Sequence, residues 1–373
     1  MSDLIDLPEP DVIAGAPHPR MAPVVLGQAA AEAEFLAAHA SGRLHHGWLL
    51  TGAQGTGKAT LAWAMARFLL TTPEESGDGL FGAPPPPQDL HVEPEHPVAR
   101  RMRALSEPGL FLLRRGPTDK GDKLAAQISV GEVRKLHRFF SLSAADGGRR
   151  VVIVDAADEL NMQAANALLK MLEEPPARTT LLLISHQPAR LLPTIRSRCR
   201  TLRLAPLAPA DMARALDQAG VVIAPEDAGA LAELAGGSAG AAIRLVNLDG
   251  LALYRELLAV LASLPTLDRG RMMALSETAG RKGAEDRLGL LLTLTDQLCA
   301  RIARTGATGH PPAVEIAPGE GKVLTRLAPD ARAAQRWAAA AQAACDRARH
   351  ARAVNIDPAS LVTDLVLHLA RAV

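Results

Sequence analysis

The chain has 373 residues, 48% of them hydrophobic and 22% charged, which is the composition of a globular protein too long for a single core. Lys and Arg number 41 against 40 Asp and Glu, a formal net charge of +1, and this balance argues against a protein that coats nucleic acid with its whole surface. Six Phe, three Trp and one Tyr are the only aromatic residues, and the abundant Ala and Leu favour helices.

Apolar runs alternate with helical patterns over the first 206 residues, after a Pro-rich, acidic start that predicts a loose arm. Taken in chain order, the predicted elements are a helix at 28–40, a strand at 46–51, a helix at 58–70, regular structure at 111–113, a helix at 131–140, a strand at 151–154, a helix at 161–174, and strands at 180–184 and 201–204. Several of the strands are continuously apolar, which indicates a parallel sheet covered by helices on both faces.

Beyond Pro206 the strand patterns largely stop and helical patterns continue to the end of the chain. We predict an α/β domain over residues 1–207, a small helical domain over 208–250, and an all-α domain over 251–373. Within the first domain, residues 71–97 contain four consecutive prolines and predict an exposed insertion that is extended or disordered.

The three cysteines, Cys199, Cys299 and Cys345, lie too far apart for metal-ligand spacing or a disulfide framework. Residues 1–15 lack the basic start and apolar run of a signal peptide. The sequence also contains no uncharged apolar stretch of about 18 residues, the length that a membrane span needs. We therefore expect a cytoplasmic protein with reduced thiols and no membrane partner.

A glycine-rich loop stands between the strand at 46–51 and the helix at 58–70. Its sequence, GAQGTGK, matches the first seven positions of a phosphate-binding Walker A motif. In such a loop, glycines let backbone N–H groups face the phosphates, the helix N-terminus adds positive potential, and a lysine reaches the outer phosphates. The candidate nucleotide-binding residues are Gly52, Gly55, Thr56, Gly57, Lys58, Thr60 and Asp155.

Two groups that hydrolysis needs are missing from this candidate site. The motif continues with Ala59 where a Ser or Thr hydroxyl would bind Mg²⁺, and Thr60 lies about 100° further around the helix, so it helps only if the first turn is distorted. Asp155 ends an apolar strand and is suited to hold a metal through water, but Ala156 follows where a glutamate would polarise the attacking water. We expect Asp158 and Glu159 to face solvent. A missing general base alone costs about 10²–10⁴-fold in rate.

The chain resembles the clamp-loader AAA+ family, specifically its delta-prime subunits of bacterial DNA polymerase III. The segments that carry the resemblance are SGRLHH at 41–46, GAQGTGKATLA at 52–62, VVIVDAADELNMQAANALLKMLEEPP at 151–176 and LPTIRSRC at 192–199. The similarity covers about residues 20–250, and the remainder fits by length and helical character. The long central string and the Ser-Arg-Cys triplet are more specific than the glycine-rich loop.

The resemblance implies an α/β P-loop AAA+ module with a parallel sheet flanked by helices, a helical lid, and an all-α collar that joins subunits into a ring. It also implies partners: motor subunits of the gamma/tau type, a clamp-opening delta subunit, the sliding clamp indirectly, and primed DNA through the assembly. The arginine of the Ser-Arg-Cys triplet corresponds to Arg198 and would reach into a neighbour's ATP site as an arginine finger. A guanidinium suits this role because it is always charged and forks onto phosphate oxygens. The alternative for Arg198 is a surface or interface ion pair, and we favour neither Arg196 nor Arg200 as the finger.

Further departures from hydrolysing relatives fit this resemblance. His186 stands at the first sensor position, Gly240 stands where the second sensor arginine would align, and Arg244 is not an obvious substitute. Relatives often carry a four-cysteine zinc module after the P-loop helix, but here that region has no cysteine, and His91 and His96 are too isolated to replace it. We therefore expect no zinc and no required cofactor, with at most weak binding of ATP or ADP.

The resemblance, together with the missing groups, thus implies a subunit of the DNA polymerase III clamp loader that hydrolyses ATP weakly or not at all and supports loading of the sliding clamp during replication. No catalytic activity is expected from the isolated chain, although the assembly belongs to a DNA-directed DNA polymerase holoenzyme. The main competing function is that of an active AAA+ motor subunit or remodeller. A P-loop metabolic kinase and a pure scaffold without a finger also compete with it.

Overall fold

The computed structural model describes residues 9–72, 87–118, 120, 123–141, 148–280, 285–354 and 356–372. Its described residues form two compact units. The first unit contains the residues up to Gly220 together with Gly237–Gly240, and the second contains Val221–Gly236 and Ala241 onward. The predicted boundaries at 207 and 250 stay predictions.

The first unit is built on a parallel five-stranded sheet with the strand order β2-β3-β4-β1-β5. Its strands are β1 (Gly47–Thr51), β2 (Leu110–Arg114), β3 (Arg150–Asp155), β4 (Thr179–Ser185) and β5 (Arg200–Arg203). β2 covers the segment 111–113, for which only regular structure was predicted, and each of the other four strands lies within one residue of a predicted strand at both ends. The helices of this unit are α1 (Ala29–Ala40), α2 (Lys58–Thr71), α3 (Pro97–Arg103), α4 (Val130–Ser141), α5 (Met162–Glu173), α6 (Pro193–Arg196) and α7 (Pro209–Gln218). The predicted fold class is therefore confirmed, although α3 and α6 were not predicted.

Alternating side chains of the strands explain the continuous apolar runs. Trp48 and Leu50 of β1 pack with α1 and α2 on one face of the sheet, while Leu49 packs with α4 and α5 on the other. Successive strand residues point to opposite faces, so a strand buried on both faces needs apolar residues at every position.

The N-terminal arm is packed against the first unit, contrary to the loose arm that we predicted, although residues 1–8 lie outside the described part of the chain. Arg67 of α2 is buried and donates from Nη1 to the carbonyl of Arg20 and from Nη2 to that of Ala22, both at 3.0 Å. Asp11 forms an ion pair with Arg114 of β2 and accepts a hydrogen bond of 3.0 Å from His18 Nε2. These long-range contacts have no local sequence pattern.

Most of the predicted Pro-rich insertion, from residue 73 to 86, lies outside the described residues.

The second unit consists of helices, as predicted for the C-terminal region. They are α8 (Ala228–Ala235), most of α9 (Ala239–Asn247), α10 (Gly250–Ala262), α11 (Arg269–Gly280), α12 (Glu285–Thr308), α13 (Glu320–Leu327), α14 (Ala331–Ala353) and α15 (Pro358–Leu369). Buried Glu320 accepts hydrogen bonds from Tyr254 Oη at 2.6 Å and Arg301 Nε at 2.8 Å, which links α10, α12 and α13. Within the described residues, no helix is both long and apolar enough to cross a membrane.

Candidate functional site

The glycine-rich loop lies where the sequence predicts it, between the end of β1 and the first turn of α2. Gly57 is the N-cap of α2, and Leu61 N donates to the Gly57 carbonyl at 2.9 Å, which is the regular hydrogen bond of an α-helix. The first turn is therefore not distorted. Thr60 is thus not shifted into the place of the hydroxyl that Ala59 lacks.

Lys58 is bound to the loop that precedes it. Its Nζ donates to the carbonyl oxygen of Gly52 at 2.9 Å and to that of Ala53 at 2.5 Å, and the residue is only 2% exposed. Burial lowers the pKa of Lys58 to about 8, against the opposing effect of the carboxylates of Asp155 and Asp158. The ammonium group is therefore satisfied by its own loop, and a phosphate would have to replace these two carbonyls.

The remaining carbonyls of the loop are also hydrogen-bonded. Ser238 Oγ donates to Gln54 O at 2.7 Å, and Gly240 N donates to Gly55 O at 3.1 Å. The buried side chain of Gln28 donates from Nε2 to Thr56 O at 3.1 Å and to Ala205 O at 2.9 Å. Gln28, which the sequence did not single out, therefore ties the loop to the chain beyond β5. Nothing in its local sequence indicates this contact.

Asp155 ends β3 beside the loop, as predicted. Burial, together with the negative charges of Asp11 and Glu159, raises the pKa of this carboxyl to about 7 against the opposing charges of Lys58 and Arg114. Ala156 follows and is buried. The acid that the sequence offers for a metal is thus close to half protonated near neutral pH, and the position after it supplies no base.

Asp158 and Glu159 do not simply face solvent, so that prediction was wrong. Asp158 accepts hydrogen bonds from Ser185 Oγ at 2.7 Å, from Gln187 N at 3.2 Å and from the backbone of His186. Glu159 pairs with Arg115 at 2.9 Å. A carboxylate that accepts several backbone N–H groups fixes their conformation, and Asp158 therefore holds the turn that follows β4.

The two sensor positions are occupied in ways that do not suit phosphate recognition. Burial, followed by the charge of Lys58, lowers the pKa of His186 to about 4, so its imidazole is neutral at physiological pH. At Gly240, a Cβ atom would lie 2.8 Å from Gly55 Cα and 2.8 Å from Ile13 Cδ1. This contact with backbone leaves no room for an arginine side chain in the described conformation.

Arg198 and the glycine-rich loop lie at opposite ends of the sheet's strands: Arg198 before the N-terminal end of β5, and the loop after the C-terminal end of β1. Arg200, the first residue of β5, pairs with Trp48 near the start of β1, whereas Gly52 follows the end of β1. Because β1 and β5 are parallel, the loop and Arg198 are separated by the length of β1, about 17 Å at about 3.3 Å per residue. Arg198 therefore lies at the end of the sheet away from the candidate nucleotide site of its own chain.

The guanidinium of Arg198 is partly exposed and held on one side. Its Nη2 atom lies 2.8 Å from Glu173 Oε1 at the end of α5, and Nη1 donates to Thr194 O at 3.1 Å. Its neighbour Arg200 is bound to Glu34 at 3.0 Å and lies over the ring of Trp48, while Arg196 is exposed. The structure thus gives Arg200 a packing role and leaves donors of Arg198 available, since a guanidinium has five N–H groups.

Metal ligands are not grouped in the described part of the chain: no cluster of three or more His, Cys, Asp or Glu side chains there could hold an ion. In the described conformation the loop fits a nucleotide poorly, because the ammonium group of Lys58 donates to carbonyl oxygens of the loop and Ala59 offers no metal ligand. The expected absence of zinc and of a required cofactor stays a prediction.

Comparisons with known proteins identify the family. Residues 27–208 match the family model described as DNA polymerase III, delta subunit. The chain is 38% identical over 207 residues to DNA polymerase III subunit delta' of Pseudomonas aeruginosa, and the match covers 55% of this chain and 56% of that protein. The chain thus spans little more than half the length of this relative.

Two further relatives extend the comparison. Subunit delta' of Escherichia coli K12 is 33% identical over 262 residues, covering 70% of this chain and 72% of that protein. DNA polymerase III subunit gamma/tau of Mycobacterium tuberculosis is 28% identical over 205 residues, covering 53% of this chain and 32% of that protein. With two thirds of a delta' subunit matched at this identity, the chain belongs to the DNA polymerase III subunit delta' family.

Proposed function

We propose that this chain is a non-hydrolysing subunit of the DNA polymerase III clamp loader that donates Arg198 to ATP bound on a neighbouring subunit. In this role it supports ATP-dependent loading of the sliding clamp onto primed DNA, and it works in the cytoplasm. The observation that carries the proposal is the position of Arg198, partly exposed at the end of the sheet opposite the glycine-rich loop of its own chain.

The state of the chain's own nucleotide site supports the first half of the proposal. Hydrolysis needs a bound metal and a positioned water, and this site has Ala59, Ala156 and a lysine engaged by Gly52 and Ala53. ATP or ADP therefore binds weakly or not at all. No cofactor of the chain itself is required for the proposed role.

The chemistry of Arg198 supports the second half. An arginine supplied from a neighbouring protein stabilises the charge of the phosphoryl-transfer transition state and is worth about 10³–10⁵-fold in rate in the GTPases where it was defined. Glu173 holds the guanidinium by a partly exposed ion pair, and such pairs contribute only about 0–1 kcal/mol. The donors of the guanidinium that Glu173 and Thr194 O leave open can bind a phosphate of the neighbour while the pair with Glu173 persists.

The proposed partners follow from the same role. Motor subunits of the gamma/tau type receive Arg198, and the second, helical unit joins the subunits into a ring. A delta subunit that opens the clamp completes the assembly, and the sliding clamp and primed DNA are reached through it. Family membership and the gamma/tau relative support this set.

The test is ATP turnover by the reconstituted assembly with Arg198→Ala in this chain. We expect turnover to fall about ten-fold or more, since a transition-state charge loses its partner, while size-exclusion chromatography shows an intact complex. Arg196→Ala is the matched control because Arg196 is exposed on the same segment. Unchanged turnover with Arg198→Ala would reject the finger and leave a scaffold.

A second measurement addresses the competing function of an active motor. Steady-state ATP hydrolysis by the isolated chain, with and without primed DNA, should not exceed that of a Lys58→Ala control. Turnover that disappears in the control would establish the chain as a motor subunit instead.

A further inference from the structure

His46 makes a hydrogen bond across 126 positions of the chain, from its Nε2 to the carbonyl oxygen of Leu172 at 2.9 Å. A carbonyl only accepts, so Nε2 carries the proton. The backbone of His46 is itself fixed, because its carbonyl accepts a hydrogen bond of 2.7 Å from the backbone N–H of Leu181 in β4. The histidine therefore ties the end of α5 to the sheet.

Leu172 cannot find this partner within its own helix. Its carbonyl would accept from the N–H of residue 176 in an α-helical turn or of residue 175 in a 3₁₀ turn, and both positions are proline, which has no N–H. The two prolines thus end α5 and leave a carbonyl that needs an external donor. The His46 ring supplies that donor.

The same end of α5 supports Arg198. Glu173, next to Leu172, holds the guanidinium at 2.8 Å. Gly47 lies at the centre of the packing: a Cβ there would be 3.1 Å from Leu172 Cδ2, 3.2 Å from Arg198 O and 3.3 Å from Cys199 Sγ. The backbone before β1, the end of α5 and the segment of Arg198 are therefore in direct contact.

We propose that His46 is a positioning residue for Arg198, acting through the carbonyl of Leu172 and the carboxylate of Glu173. This inference rests on the finger role proposed above. The pair with Glu173 and the hydrogen bond to Thr194 O orient the guanidinium of Arg198, so its placement depends on where the backbone of Glu173 is held. Small displacements matter because a shift of about 1 Å costs up to about 10²-fold in rate.

The test uses the reconstituted assembly with His46→Ala and His46→Gln, the second of which keeps a side-chain N–H donor. We expect His46→Ala to lower kcat for ATP about ten-fold, by misplacing Arg198, with KM for ATP unchanged within about two-fold. His46→Gln should restore most of kcat. A structural control is Asn161→Ala, which removes the N-cap at the other end of α5, where Asn161 Oδ1 accepts from Ala164 N at 2.8 Å. Asn161→Ala should leave kcat near wild type.

A double variant separates this inference from the proposed function. If His46 acts through Arg198, His46→Ala should have no further effect in the Arg198→Ala background. A loss of kcat that persists there, or a full loss in His46→Gln, would overturn the positioning role. An effect of Arg198→Ala without any effect of His46→Ala overturns this inference alone, whereas no effect of Arg198→Ala overturns the finger and the inference with it.

Discussion

Lys58 Nζ lies 2.9 Å from the carbonyl oxygen of Gly52, so the lysine of the phosphate loop is bound by the first residue of that loop. In a phosphate-binding loop the backbone N–H groups and the lysine face the ligand together. Here the lysine instead neutralises carbonyl dipoles of the loop. The carbonyl groups of the glycine-rich loop are thus bound by the chain's own lysine. Both the pKa of Lys58 and the packing around the loop can be tested.

Lys58 should titrate in the folded protein near pH 8. Its unfolded-state pKa is 10.5 and its folded-state pKa is about 8, so between these values the unfolded state binds more protons and the free energy of unfolding rises with pH. The contribution of this group is about 3 kcal/mol over that window. Urea unfolding of wild type and Lys58→Met at pH values from 7 to about 10.5 should show the wild type gaining stability relative to the variant. A constant difference would mean that Lys58 is not buried as described.

Asp158→Ala should loosen the turn after β4. The carboxylate accepts from Ser185 Oγ and from the backbone of His186 and Gln187, and losing hydrogen bonds to a charged group costs about 2–3 kcal/mol. Hydrogen exchange at the amides of His186 and Gln187 should accelerate in parallel with a lower urea midpoint. Glu159→Ala, which removes a partly exposed ion pair, should cost at most about 1 kcal/mol. Equal effects of the two variants would contradict the special role of Asp158.

Gly240→Arg should destabilise the first unit rather than restore a sensor. Its Cβ would approach Gly55 Cα to 2.8 Å, and forcing atoms into a packed site costs about 1–3 kcal/mol. Gly240→Ala should show much of this cost, because the contact arises at Cβ. Gly148→Ala is the control: nothing lies within 4 Å of its Cβ, so we expect a change within about 0.5 kcal/mol. Denaturant unfolding measures all three, and a Gly240→Arg chain of wild-type stability would refute the packing argument.

Arg301→Met should destabilise the second unit strongly. Glu320 is fully buried and receives Arg301 Nε at 2.8 Å and Nη2 at 3.1 Å, and removing one partner of a buried pair costs about 3–5 kcal/mol. The comparison is Arg255→Ala, which removes the more exposed pair with Asp227 and should cost at most about 1 kcal/mol. Calorimetric or urea unfolding distinguishes the two. Similar losses would show that Glu320 finds another partner when Arg301 is absent.

The sequence by itself determined the elements of the first unit and the chemistry that its nucleotide site lacks. The strands were predictable because a strand buried on both faces must be apolar at nearly every position, and residues 151–154 and 181–184 satisfy that rule locally. Ala59 and Ala156 were informative for a similar reason, since a methyl group cannot bind metal or accept a proton in any fold. The family resemblance was readable from contiguous segments.

Only the tertiary structure decided what the remaining groups do. Lys58 could have pointed to solvent or to its own loop, and Asp158 gave no sign of the turn that it holds. Gln28 with Thr56, Asp11 with Arg114, and His46 with Leu172 each join residues that are distant along the chain. Local patterns report helix and strand periodicity, whereas these contacts arise when the sheet brings separate segments together. For that reason the lysine's direction and the support of Arg198 could be derived only from the folded chain.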